Sequence, residues 1–356
     1  MGNIGGNKMN KKMMNIFLIV TMLILIANIL YAGDASRVGT AGATQLQIPI
    51  GGRNIGLAGA DIVYTRPLDA LYWNPAGLGD LTNRASGLFS IQNLIADIKV
   101  SYFAVGVRLG TKGVLGVSVK TFDFGDILIT TEKNMDGTGA TYSPNFLTIG
   151  LTYGRKFTDR INFGISGKIV SESIPRASAS LFAFDAGLQY RDLLRVKGLG
   201  LGVSMKNISI SNLKYEGTGL LKKAKQQDET YPQYLNIPTM ESHLPASVDI
   251  GLSYLKRIGS SSLLISGVFQ QNNFQNDELR YGIEFNFLGM LSIRCGYDQI
   301  LYDPDNPNIG KSVYEGISYG GSLKYDIRGV NFSIDYAYRF ARYFNGNSSF
   351  CITIEL

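Results

Sequence analysis

The sequence predicts an all-β fold: a transmembrane, antiparallel, up-and-down β-barrel of about fourteen strands with a short N-terminal hatch or plug segment. Three observations predict it. From Arg84 onward, apolar and polar residues alternate in runs of about 10 to 13 residues, whereas strands in soluble sheets average about five or six. Within each run one parity is aliphatic and aromatic while the other carries Gly, Ser, Asn and charges, as a wall between lipid and a polar lumen requires. The connections also sort by length: those after even-numbered runs are short, and those after odd-numbered runs include all the long ones. An up-and-down barrel puts these two sets at opposite ends, with short periplasmic turns and long extracellular loops. A soluble sandwich has no reason to sort its loops this way.

In chain order, Lys8, Lys11 and Lys12 precede an apolar core from Ile16 to Ile26, and Leu30-Tyr31-Ala32 fits a small-residue cleavage site. Residues 1–32 therefore read as a signal peptide; the run Ile16–Tyr31 is short for a spanning helix and Asn28 interrupts it. The formal charge of +6 halves without those three lysines, so it does not point to nucleic acid. Charged residues make up 17% of the chain, against ~25% in soluble domains, which fits a wall bathed in lipid.

Residues 33–83 hold no sustained period. Glycines at 39, 42, 51, 52, 56 and 59 interrupt it, with Leu46, Ile48, Ile50, Ile55 and Leu57 between them. This is either a loosely packed lead segment or a plug inside something larger. Its densest stretch is Asp69-Ala70-Leu71-Tyr72-Trp73-Asn74-Pro75-Ala76-Gly77-Leu78, which holds the only tryptophan. Asn74 reads as an N-cap and Pro75 as the first residue of a helix, where a missing N–H costs nothing. Gly77 and Gly79 then permit a tight exit through positive φ.

Residues 84–356 form the barrel, with strands centred near Phe89, Phe103, Val117, Ile149, Ile165, Phe184, Leu201, Ile250, Ile265, Ile283, Ile293, Tyr319, Ile334 and Ile352. Phe350, Ile352, Ile354 and Leu356 alternate as a closing strand. Parity turns Arg108, Lys168, Asp185, Lys206, Asp249, Glu284, Arg294, Asp298, Asp335 and Arg339 toward the lumen, where they pair with one another, hold the hatch or line a path. Ile283 faces lipid, so an arginine there is expected to cost far more than a substitution at Glu284. The segment Leu220–Lys225 reads as a short amphipathic helix or a solvated loop that could meet lipopolysaccharide or a partner.

Little of the sequence points to catalysis, cofactors or metals. His243 is the only histidine, so a nucleophile–histidine arrangement has one possible base, and a strand-end or rim position is expected for it. Histidine-based zinc is improbable for the same reason. Asp303-x-Asp305 fails as a calcium loop because Pro307 and Asn308 fall where a ligand and the turn glycine belong. Gly310-Lys311-Ser312 lacks the rest of a phosphate loop, and Gly198-Leu199-Gly200-Leu201-Gly202 is better read as small residues on the inner face of a strand. Cys295 and Cys351 are free thiols or one pair.

Four motifs carry a family resemblance: Ala43-x-x-Leu46-x-Ile48, Gly51-x-Arg53, Leu57-Ala58-Gly59-Ala60, and the Asp69–Leu78 box with its Asn-Pro-Ala-Gly turn. Together they resemble the N-terminal signature of the PorV/PorQ family, which is similar to the FadL group of outer-membrane transporters. The resemblance implies a fourteen-stranded outer-membrane barrel with its N-terminal segment packed near the periplasmic mouth. It implies that Arg53, Gly59, Asp69, Tyr72, Trp73, Asn74, Pro75, Ala76 and Gly77 form the hatch motif. It also implies one of two non-enzymatic roles. The first is PorV-like handling of secreted cargo in type IX secretion, with cargo proteins or secretion-system subunits as partners. The alternative is a FadL-like channel for hydrophobic small molecules.

Overall fold

The computed structural model describes residues 37–224, 233–237, 239–302 and 312–356. The expected signal peptide and the Asp303-x-Asp305 stretch lie outside the described residues.

The strands run in chain order as β1 (Ala85–Asn93), β2 (Lys99–Arg108), β3 (Val114–Asp123), β4 (Ile127–Leu128), β5 (Thr141–Tyr142), β6 (Asn145–Lys156), β7 (Ile161–Ile174), β8 (Ala177–Arg191) and β9 (Leu199–Ile208). They continue as β10 (Leu221–Ala224), β11 (Gln233–Asn236), β12 (Ser247–Ile258), β13 (Ser261–Asn272), β14 (Asp277–Phe287), β15 (Leu291–Leu301), β16 (Gly316–Ile327), β17 (Val330–Arg339) and β18 (Asn347–Glu355). Fourteen of them close into one antiparallel barrel, each hydrogen-bonded to two neighbours, with β18 returning to β1. Every strand centre expected from the alternation falls inside a barrel strand. The two remaining pairs, β4–β5 and β10–β11, are small hairpins in two of the long loops. Leu220–Lys225, read as a short helix or a solvated loop, is thus corrected over Leu221–Ala224: these residues form a strand, because cross-strand pairing to Gln233–Asn236 gives its backbone partners that a helix or loop this short would lack.

Closure leaves no free edge, so every ladder group is paired within the wall, as lipid demands. Outward residues such as Phe103, Ile165 and Ile293 stand exposed around the outside, and their inward neighbours are buried. Among the described residues the barrel ladder shifts register once, between β8 and β9 at Phe184/Ala186, where Asn207 takes a positive φ and its N–H donates to Asp185 Oδ1 at 2.7 Å.

Residues 37–83 fill the lumen as a plug, in short turns and 3-10 or α-helical pieces (Thr44–Gln47, Gly52–Gly56, Ala70–Trp73 and Pro75–Asp80). The resemblance places this segment near the short-turn mouth, and only the second half sits there: Asp80 is ion-paired with Arg191 at the end of β8. The first half runs to the opposite end. Ala43 and Leu46 pack in an apolar cluster with Val170, Leu181, Leu213 and Leu244, and the Gly39 N–H donates to Phe274 O at 3.2 Å in the turn between β13 and β14, at the long-loop end. The hatch therefore spans the lumen lengthwise. Apolar burial fixes its upper end, since the side chains of that cluster have no other dry surface to cover.

Candidate functional site

The Asn-Pro-Ala-Gly box works as a structural rivet. Asn74 caps the 3-10 helix Pro75–Asp80, its Oδ1 accepting from the Ala76 N–H at 3.2 Å, with Pro75 in the first position. Its Nδ2 donates to Ile62 O at 2.8 Å and to Leu188 O on β8 at 3.3 Å, tying hatch to wall. Gly77 and Gly79 lie within the 3-10 helix and not in a positive-φ exit. Their role is close approach instead. A Cβ on Gly77 would lie 2.9 Å from Ala70 Cβ, and one on Gly79 2.9 Å from the backbone of Arg155.

The barrel answers with glycines of its own. Gly106 pairs across the ladder with Gly116, Gly154 with Gly164, Gly164 with Gly187, Gly202 with Gly251, and Gly282 with Gly296. At each of these positions a Cβ would meet a hatch atom within about 3 Å. At Gly187 it would run into the Asn74 side chain and sit 3.0 Å from the Pro75 ring. Gly187→Val is therefore expected to cost about 1–3 kcal/mol by overpacking, confined to the hatch. Protease nicking of residues 60–80 should rise while the heat-modifiable gel shift of the folded barrel stays. Gly200 and Gly202 belong to the same girdle, against Val63 and Ile62, which agrees with the inner-face reading of that glycine run.

On the opposite side the hatch is held by charge. Arg53 donates to Asp61 Oδ2 at 2.9 Å and, through Nε and Nη2, to both Glu284 oxygens at 3.1–3.2 Å. Glu284 also lies 3.4 Å from Arg294 Nε, Arg294 reaches Asp335 Oδ1 at 3.2 Å, and Arg66 binds Asp335 Oδ2 at 2.8 Å. Three arginines and three carboxylates thus alternate in one buried chain between hatch and β14, β15 and β17. Against β1–β3 and β18 the contact is apolar: Ile50, Leu68, Leu71, Leu78 and Leu81 pack on Leu88, Tyr102, Ala104, Val114 and Cys351. Cys351 is buried there and Cys295 is exposed on the outer face; both are free thiols.

The remaining hatch-motif residues set the centre of the plug. Trp73 Nε1 donates to Ile50 O at 3.0 Å, Tyr72 OH donates to Leu46 O at 3.1 Å, and Gly59, at φ +76°, makes room for the Trp73 ring. Asp69 is buried, with Oδ1 lacking a hydrogen-bond partner, and burial pushes its carboxyl from 3.8 up to about 6 against the pull of Arg66. The folded hatch therefore keeps a proton that the unfolded segment has released, and its stability falls as pH rises from about 4 through 6. Amide protection factors in residues 50–80, taken against the intrinsic exchange rate at each pH, should fall over that window, and Asp69→Asn should abolish the step.

Of the ten charges assigned to the lumen by parity, nine are inward and paired. Lys168 meets Asp185 at 2.7 Å, Lys206 meets Asp249 at 2.7 Å, and Arg339 meets Asp298 at 2.8 Å, besides Glu284, Arg294 and Asp335 above. Arg108 is the correction. It has inward parity but ends β2 at the short-turn rim, where it is exposed and donates to Thr82 O at 2.9 Å. Arg280, Glu278 and Lys120 also point inward without standing among those ten, and Asp61 and Arg66 lie in a hatch with no period to read. Arg280 joins the inward set through Glu278 and, at 3.8 Å, Asp298. Lys120 donates to Gln45 O at 2.8 Å and Ile48 O at 2.5 Å.

Between the hatch and the long-loop end lies a cavity of about 580 Å³. One wall is aromatic: Phe122 stacks on Phe124 at 6.0 Å between centroids, and Phe124 meets Phe146 edge-on at 4.9 Å. Trp73 and Tyr72 on the hatch also line it, with Lys206 Nζ 5.6 Å from each ring. Leu94, Ile95 and Ile98, from the connection between β1 and β2, continue the apolar lining. His243 stays outside it, exposed and stacked on Phe274 at 6.0 Å, with its carbonyl accepting from the Gly42 N–H. Among the described residues no group of three His, Cys, Asp or Glu is placed to hold a metal ion.

No family model and no curated protein matches the chain. Among solved structures it is similar to the CymD monoaromatic hydrocarbon channel, with a TM-score of 0.50 and 14% identity over 86% of this chain and 96% of that one. The Pseudomonas putida toluene transporter TodX gives the same TM-score and identity over 86% and 97%. The chain shares their fold. A closed fourteen-stranded transmembrane barrel with few helices is thus common to this protein and two channels, and it resembles the fold of Gram-negative outer-membrane proteins.

Proposed function

We propose that the protein is an outer-membrane channel that passes hydrophobic small molecules, with its short turns in the periplasm and its long loops outside, after removal of a signal peptide. One observation carries the reading: an aromatic-walled cavity of about 580 Å³ inside a closed barrel, bounded below by a hatch tryptophan. A polar, water-filled lumen repels an apolar solute, whereas stacked Phe122, Phe124 and Phe146 offer it dry surface. The fold shared with two hydrocarbon channels supports the same reading. The protein is read as non-catalytic, with outer-membrane lipid around its wall.

This reverses the order in which the resemblance ranks the two roles. The PorV/PorQ-like residues between Ala43 and Leu78 serve here to cap, pack and rivet a plug, which any hatched barrel needs, so they do not by themselves favour cargo handling. Cells making the protein should take up a labelled aromatic hydrocarbon several-fold faster than cells lacking it. The cavity-filling variant Ala41→Trp should return uptake toward the lower rate. Equal rates with and without the protein would overturn the proposal.

A further inference from the structure

The cavity has a second wall that a hydrocarbon would not need. Carboxamides line it from two directions: Gln45 and Gln47 on the hatch, and Gln270, Asn272 and Gln275 on β13 and the turn after it. Some satisfy one another. Gln275 Nε2 donates to Gln47 Oε1 at 3.1 Å, and Gln270 Nε2 donates to Asn272 Oδ1 at 2.9 Å. Others do not. Gln45 is 3% exposed with neither Oε1 nor Nε2 partnered, and Gln270 is 9% exposed with Oε1 unpartnered. Buried amides without partners are costly and uncommon, so two that border one cavity mark where a bound molecule supplies hydrogen bonds.

The charges around the cavity are already engaged. Lys168 is held by Asp185 and by Asn207 Oδ1, Lys206 by Asp249, Arg339 by Asp298, and Arg280 by Glu278. Lys120, near the same floor, is bound to two backbone carbonyls. The open hydrogen-bonding capacity is therefore neutral, and it both donates and accepts. We infer that the preferred ligand is an apolar body carrying a neutral polar head, such as a hydroxyl, carbonyl or amide, with the body on Phe122, Phe124 and Phe146 and the head on Gln45 and Gln270. Plain hydrocarbons leave both amides unpaired, and each cation that lines the cavity already has a carboxylate partner. This selectivity rests on the channel reading and narrows its substrate class.

Trp73 lines the cavity and is the only tryptophan, so its emission reports occupancy. The purified full-length barrel in detergent at pH 8 is titrated with toluene, benzyl alcohol and benzoate, three molecules of one ring and different heads. Benzyl alcohol should bind at least as tightly as toluene despite being less hydrophobic, and more tightly than benzoate. Gln45→Leu/Gln270→Leu should weaken benzyl alcohol about tenfold, the scale of one or two net hydrogen bonds, and leave toluene unchanged. Retained toluene binding is the folding control, and the single Gln270→Leu variant should show part of the same loss. An unaltered ratio of the two affinities in both variants, or tightest binding of benzoate, would overturn the inference and leave the channel standing. If none of the three changes Trp73 emission, the inference and the channel reading fall together.

Discussion

Replacing Glu284 with alanine is expected to free the hatch while the barrel stays closed, at a cost of about 3–5 kcal/mol. The carboxylate is the link between Arg53 on the hatch and Arg294 on β15, and its removal leaves both guanidinium groups without it in a buried site. An uncompensated buried charge is expensive, and the segment that can escape the expense is the hatch, since strands β14 and β15 are held on both sides by ladder hydrogen bonds. Trp73 emission should shift to the red and residues 50–80 should exchange their amides quickly. Glu284→Gln, which keeps an acceptor for Arg53, should lose less. A variant whose hatch exchanged at the wild-type rate would show that the glycine girdle and the apolar contacts alone hold the plug.

One residue earlier the expected effect is of a different kind. Ile283 is 47% exposed on the outer face, at the middle of β14, where Ile265 and Cys295 flank it across the ladder. Ile283→Arg places a cation in the lipid zone and should destabilise the whole barrel by about 2–4 kcal/mol. Reversible unfolding in urea with reconstituted vesicles would read this as a lower midpoint, with the hatch around Trp73 unaltered in the folded fraction. The pair of neighbouring substitutions separates the wall from the plug. Parity alone ranks Ile283 as costly and Glu284 as cheap. The structure makes both costly, for unrelated reasons.

The barrel was legible because a strand in lipid has only one way to satisfy its backbone and two different solvents on its two faces. Period-two alternation and loop sorting located all fourteen barrel strands. The cap at Asn74 and Pro75 was legible because its chemistry is local. What the sequence withheld was long-range. Gly154, Gly164 and Gly187 look like ordinary lumen glycines until the ladder sets them side by side beneath the turn from Asn74 to Gly79. Glu284 reads as lumen filler until Arg53, 231 positions away in the chain, reaches it. Asp61, Arg66 and Gln45 carry no pattern, because the hatch has no period, and Arg66 meets Asp335 only across the lumen. The direction of the hatch escaped for the same reason: the cluster that holds Ala43 and Leu46 draws on β7, β8 and the loop carrying Leu213 and Leu244.

The most direct test of a small-molecule channel is native mass spectrometry of the protein extracted gently from the outer membrane of its own cells. The account predicts a barrel carrying a small apolar molecule, diminished in Ala41→Trp, without a protein partner in fixed ratio. A barrel that came away empty, bound in fixed ratio to a secreted protein or to secretion-system subunits, would contradict it and restore the cargo-handling role.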